Sequence, residues 1–248
     1  MLELQVTAFL IVFARVGAVL MMLPVFAEEA VPGRIRLLIA GGMTFGMMGL
    51  LGPGAHAAAI DTTALPGTLL IELGTGLAMG AIVKIIFHAV SIAGSVISMQ
   101  VGLSSAVLFD PAQGGQAPLL SKFVTVGATV VCMAMQVHHL WIASIIHSYA
   151  TFPVGGIPPL HDFAELAVLA VGRSMTLGIG LAAPLLVYGI VFNVALGLSA
   201  RLAPAIQIFF IAQPLNLLLG LAVTAVSVGG LLTGFAFGMA DWMQSGWH

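Results

Sequence analysis

Charge is what this sequence has least of. Of its 248 residues, 7 are Lys or Arg and 9 are Asp or Glu, together 6% of the chain, while 60% are hydrophobic. A soluble domain of ordinary composition carries about 25% charged residues. So small a charged fraction does not cover a globular surface in water. Most of the chain is therefore solvated by lipid or by other apolar protein. The formal net charge of −2 excludes a broad basic field, and with it nucleic acid as a partner. Cysteine is nearly absent. Cys132 stands alone, so the chain has no internal disulfide and no thiolate zinc site, and the count says nothing of redox compartment. Catalytic signatures are missing too: there is no G-x-S-x-G, no P-loop and no paired catalytic carboxylates. No enzyme activity and no cofactor is expected.

What is present is apolar length. Hydrophobic runs occupy residues 4–24, 35–52, 68–100, 119–147, 164–199 and 206–240. A helix crosses the hydrocarbon with about 20 residues, so the runs predict an all-α membrane protein of about six long helices. Runs 68–100, 164–199 and 206–240 exceed one straight span; they are expected to be tilted, broken, or to extend beyond the bilayer. The breaks are rich in Pro and Gly: "EEAVPGR", "LGPGAHAAAIDTTALPG", "FDPAQGGQAP", "FPVGGIPPLHD" and "RLAPAIQ". No soluble domain fits between them. The segment "LPVFAEEA" has the small residues of a signal-peptide cleavage site. However, Glu3, the absence of an early Lys or Arg, and Arg15 within the run favour a retained membrane helix over residues 4–24.

Lys and Arg near span ends set orientation. Arg34 and Arg36 lie in the first break, Lys122 at the edge of the third and Arg201 in the fifth; the second and fourth have none. This alternation puts breaks one, three and five on the cytoplasmic side and both termini outside.

Ionisable groups inside apolar runs cost about 2.5–3.5 kcal/mol each on insertion scales. Arg15, Glu72, Lys84 and Arg173 are such groups. They either line an ion or proton path or serve structure, by pairing between helices or reaching an interface. The four do not cluster in sequence, which favours the structural role. "GTGLAMG" misses the dinucleotide fingerprint by one residue, but Gly76 and Gly80 form G-x-x-x-G, which permits close helix packing. His138, His139 and His147 lack an H-E-x-x-H context and are not expected to hold metal. The 13 Met residues suit apolar packing against variable neighbours.

One break stands apart. Residues 103–118 carry Asp110 beside Pro111, the pair Gly114 and Gly115, and Pro118. The glycines permit tight turns and the prolines forbid continuous helix. Such backbone at membrane depth must be buried in protein or line water. An ordinary cytoplasmic turn is the alternative.

The order of several short motifs carries a resemblance. Arg15, Pro24, Pro32 and Arg36 come first; then Glu72 with Gly76, Gln100 with Gly102, and "FDP" at Phe109–Pro111; then "QVHHL", "SYATFPVGG", "NVALGLSARLAPAIQIFF" and "QPLNLLLG". Over nearly its whole length the chain resembles the type III secretion export-gate family in its flagellar FliR branch, related to the injectisome SctT-type proteins. It departs from the family pattern at Ala205, where Gln is frequent, at Asn216, where a basic residue is common, and at Val137, where Gly usually stands.

The resemblance implies a subunit of the flagellar protein export gate. It implies a FliP-like part over about 1–160 followed by a FliQ-like helical hairpin over 161–248. Implied partners are FliP-like and FliQ-like subunits, FlhB-like and FlhA-like export components, exported unfolded proteins and the lipid bilayer of the bacterial inner membrane at the flagellar basal body. Residues Leu108, Phe109, Asp110, Pro111, Gly114 and Gly115 would belong to a loop that plugs the pore. Arg201, Pro204 and Gln207 would mark the cytoplasmic hairpin tip. Two rivals stand beside this reading: a secondary transporter of a small solute, motivated by the intramembrane charges, and a structural assembly factor without a pore.

Overall fold

The structure, a computed structural model, describes residues 2–27, 31–60, 63–103, 119–156, 160–202 and 208–245. Among them the regular structure is entirely helical: α1 (Leu2–Met22), α2 (Pro24–Ala27), α3 (Gly33–Ala59), α4 (Leu65–Val101), α5 (Leu119–Ala134), α6 (Val137–Thr151), α7 (Leu160–Leu202) and α8 (Ile208–Ser245). Five of these are long and apolar enough to cross a membrane, or six spans if the broken pair α5–α6 counts as one. The chain is an all-α membrane protein.

Helix lengths follow from the apolar runs with two differences. The three longest runs each form one continuous helix, of 37, 43 and 38 residues. At the helical rise of 1.5 Å per residue, α7 is about 65 Å long, twice the hydrocarbon thickness of about 30 Å. Pro184 and Pro214 lie inside α7 and α8 without ending them. The break falls instead in the shorter run 119–147. Gln136 there adopts a left-handed φ of 62°, an uncommon conformation for a side chain with a Cβ, and the run becomes α5 and α6. The second difference is at "GPG". Helix α3 continues through Pro53 to Ala59, because "AHAAA" beyond it is rich in the best helix former.

The helices form two compact units. The first comprises residues 1–87, 136–171 and 241–248; the second comprises 88–135 and 172–240. In the first, α1 packs on α3. Ala8, Ile11, Val12, Val16 and Val19 of α1 are buried, as are Ala40, Thr44 and Met47 of α3, each set recurring at helical three- and four-residue spacing. Helix α6 adds Val137, Trp141, Ile145 and Ser148, again one face. In the second unit, α7 and α8 run antiparallel: a Cβ at Gly238 would stand 2.9 Å from Leu177 Cδ1 and one at Gly234 3.4 Å from Leu181 Cδ2. Helix α5 turns Val124, Ala128 and Cys132 inward.

Candidate functional site

Two polar clusters stand out against the apolar interior, one in each unit. In the first unit the centre is Arg15. Its side chain is fully buried, as is that of Glu72. Arg15 Nε donates to Glu72 Oε2 at 2.6 Å and Nη2 donates to Oε1 at 2.9 Å, a bidentate pair joining α1 to α4. Nη1 donates to Ser148 Oγ at 3.2 Å and to the Phe152 carbonyl at 3.0 Å. The Ser148 hydroxyl is free to accept because its own proton goes to Ile145 O at 2.7 Å. Glu72 Oε1 also accepts the Gly155 N–H at 3.0 Å; Gly155 has φ +74°, where glycine carries no Cβ penalty. The guanidinium lies 3.9 Å over the Tyr149 ring. One cation thus ties α1, α4, α6 and the turn after α6 together. Its charge is compensated and its donors are largely satisfied, the condition under which a buried ion pair is tolerated.

Gly76 and Gly80 lie one and two turns further along α4, against α1 of the same chain. A Cβ at Gly76 would fall 2.5 Å from the Arg15 carbonyl oxygen, and one at Gly80 would fall 2.5 Å from Met22 Cβ and 3.1 Å from Val19 O. These glycines let α4 approach closely enough for Glu72 to reach Arg15.

The second cluster caps the end of α4. Gly102, at φ +86°, donates its N–H to Met99 O at 3.2 Å, and Leu103 donates to Ser98 O at 3.1 Å. This is the paired-bond glycine termination of a helix, and it occupies two of the carbonyls that a helix end leaves open. A third, Gln100 O, accepts from Asn216 Nδ2 at 3.2 Å. Asn216 is oriented by Tyr188, whose hydroxyl lies 2.8 Å from Asn216 Oδ1 and 3.1 Å from Asn216 O. Space for this junction comes from two glycines. Gly189 lies against the Gln100 side chain, and a Cβ at Gly220 would meet Val101 Cα at 3.1 Å.

The other charged groups within runs take no part in either cluster. Lys84 and Arg173 are exposed. Asp162, Glu165 and His147 line an open cavity of about 840 Å³ in the first unit, together with Ser148, Phe152 and Met243. Among the described residues no three His, Cys, Asp or Glu side chains are grouped to hold a metal ion. Arg201 is exposed at the end of α7. Pro204 and Gln207, and Leu108, Phe109, Asp110, Pro111, Gly114 and Gly115, lie outside the described residues.

Tyr188 was not singled out from sequence; Asn216 was noted only as a departure from the family pattern, and Gln100 with Gly102 and "QPLNLLLG" only as motifs of the resemblance, with nothing to join them.

Comparison with known proteins places the sequence among bacterial export proteins. The sequence profile described as "Bacterial export proteins, family 1" matches residues 6–241. The "Flagellar biosynthetic protein FliR" of Caulobacter vibrioides is 38% identical over 227 residues, covering 92% of this chain and 90% of the relative. That of Escherichia coli K12 is 34% identical over 213 residues, covering 85% and 80%, and that of Bacillus subtilis is 28% identical over 223 residues, covering 85% and 82%. With a profile running through α1 to the last turns of α8, and relatives that share most of its length, the chain belongs to the bacterial export proteins of family 1, the FliR family of flagellar export.

Proposed function

We propose that the chain is the FliR-type subunit of the flagellar type III export gate in the bacterial inner membrane, and that it helps form and close a channel for unfolded flagellar proteins. The observation that carries this reading is family membership over nearly the whole chain. A second observation supports assembly into a larger complex. Most of the apolar length of α7 and α8 is exposed, whereas more than half that of α4 is buried. Ile190, Val194, Leu218 and Val226 are among the exposed apolar residues. Such faces need lipid or neighbouring subunits, here FliP-like and FliQ-like ones, with FlhB-like and FlhA-like components alongside. The FliQ-like part is the antiparallel α7–α8 hairpin, following a FliP-like part over about 1–160; its tip at Arg201, Pro204 and Gln207 faces the cytoplasm.

The plug is assigned to residues 103–118. Leu108 and Phe109 supply apolar bulk able to exclude water from a constriction, and hydrophobic constrictions gate by dewetting. Deleting Ala112–Gln116 shortens this segment. Cells making the deleted form at normal levels are expected to take up a small toxic solute faster than cells with the intact chain. Assembled complexes that leak no more than wild type would reduce the segment to a connector. A purified homodimer that moves a small solute by itself would favour the transporter reading instead.

A further inference from the structure

Both ends of the proposed plug segment are held on one helix. At its far end, α5 begins at Leu119 and Ser121 Oγ donates to Ser91 O at 3.1 Å; a Cβ at Gly94 would stand 2.5 Å from Ser121 Cα. At its near end stands the α4 cap described above. The two anchorages differ in kind. Ser121 is fixed by close backbone approach to a glycine. The cap takes one side-chain hydrogen bond from Asn216 of α8, which is itself held by Tyr188 of α7.

The last turn of a helix frays unless its open carbonyls find partners. Away from water an unpaired carbonyl is costly, and a chain of bonds that polarise one another is stronger than its separate members. Gly102 and Leu103 satisfy Met99 and Ser98 from within the chain. Gln100 O depends on α8 through Asn216, and Asn216 depends on α7 through Tyr188. The Tyr188 hydroxyl has one proton and two acceptors on Asn216, at 2.8 and 3.1 Å. It therefore fixes which way the Asn216 amide faces: Oδ1 toward the phenol, Nδ2 toward α4. Any side chain at Gly102 would strain its φ of +86° and stand 3.2 Å from Asn216 Nδ2.

We infer that Asn216 and Tyr188 are positioning residues that lock the end of α4 between α7 and α8 and so fix where the chain departs at Leu103. The functional consequence rests on the plug reading above: a plug whose root moves does not seal. The residues act through the backbone of α4, not by contact with exported protein.

The test uses the intact complex. A nitroxide label is placed at Leu103→Cys in a Cys132→Ala background, and its rotational mobility is measured by electron paramagnetic resonance. Tyr188→Phe removes one hydroxyl and keeps the ring. Asn216→Asp keeps the acceptor for Tyr188 and loses the donor to Gln100 O. Both are expected to raise label mobility severalfold, Asn216→Asp more, with complex yield near wild type. Thr233→Val, at an exposed position on α8, is expected to leave it unchanged. An immobile label in both Tyr188→Phe and Asn216→Asp would overturn the inference. Solute leak is scored on the same variants. Mobility that rises without leak keeps the anchoring role and removes the plug. A leak caused by the Ala112–Gln116 deletion, with a fixed label in both cap variants, keeps the plug and removes the anchoring role.

Discussion

Arg15 and Glu72 show at the scale of single residues how a nearly charge-free chain uses the charges it has. They lie 57 positions apart and meet by a bidentate contact with both side chains fully buried. The sequence showed only isolated ionisable groups in apolar runs. Nothing local to either residue marks the other, because the pairing is made by α1 lying against the glycines of α4. Breaking such a pair leaves an uncompensated buried charge, at a cost of about 3–5 kcal/mol. Glu72→Ala alone is therefore expected to lower the temperature at which the detergent-solubilised protein loses its folded state. Arg15→Met with Glu72→Leu is expected to recover most of that loss, since apolar replacement of a whole buried pair is often neutral or better. Thermal unfolding of single and double variants checks this. A double variant no more stable than the single would contradict a packing role for the pair. A stable double variant that no longer supports export would show that the charges themselves are used.

At the scale of elements, hydropathy located the helices well. The runs 68–100 and 164–199 became Leu65–Val101 and Leu160–Leu202. Helix positions were legible because most are long, predominantly apolar stretches bounded by Pro- and Gly-rich breaks. The break at Gln136 was not, because neither Pro nor Gly marks "MAMQVHHL" and the left-handed residue is a glutamine. The turn at Gly102 was half legible: glycine before a Pro/Gly-rich stretch signals a helix end, but its partners Asn216 and Tyr188 are more than 80 residues away in sequence. Gly76 and Gly80 were legible as a close-packing pair, while their neighbour was not. In the structure that neighbour is α1, so a side chain at Gly76 acts first on folding of this chain. Gly76→Ala is expected to destabilise by about 1–3 kcal/mol, the usual cost of overpacking, and Gly76→Leu with Gly80→Leu to abolish recovery of the complex after mild detergent extraction. Recovery equal to wild type for the double Leu variant would contradict the α1–α4 seam.

At the scale of the whole molecule, the charge shortage, the long apolar helices and the family match lead to one description, a membrane protein of bacterial export. Low charge was readable from composition; subunit arrangement is not, because exposed Ile190 or Val226 looks the same whether lipid or a sister subunit covers it. Orientation is testable apart from assembly. A cysteine at Ala203, in a Cys132→Ala background, is expected to react with an impermeant thiol reagent only from the cytoplasmic side; labelling from outside intact spheroplasts would invert the proposed topology. The export role itself is open to direct measurement. In a strain whose own copy of this gene is deleted, flagellar proteins released into the medium are quantified with and without the chain restored at normal levels. The deletion is expected to abolish their release while they still accumulate inside the cell, and restoring the chain is expected to restore release. Release that continues unchanged in the deletion strain would contradict the export role.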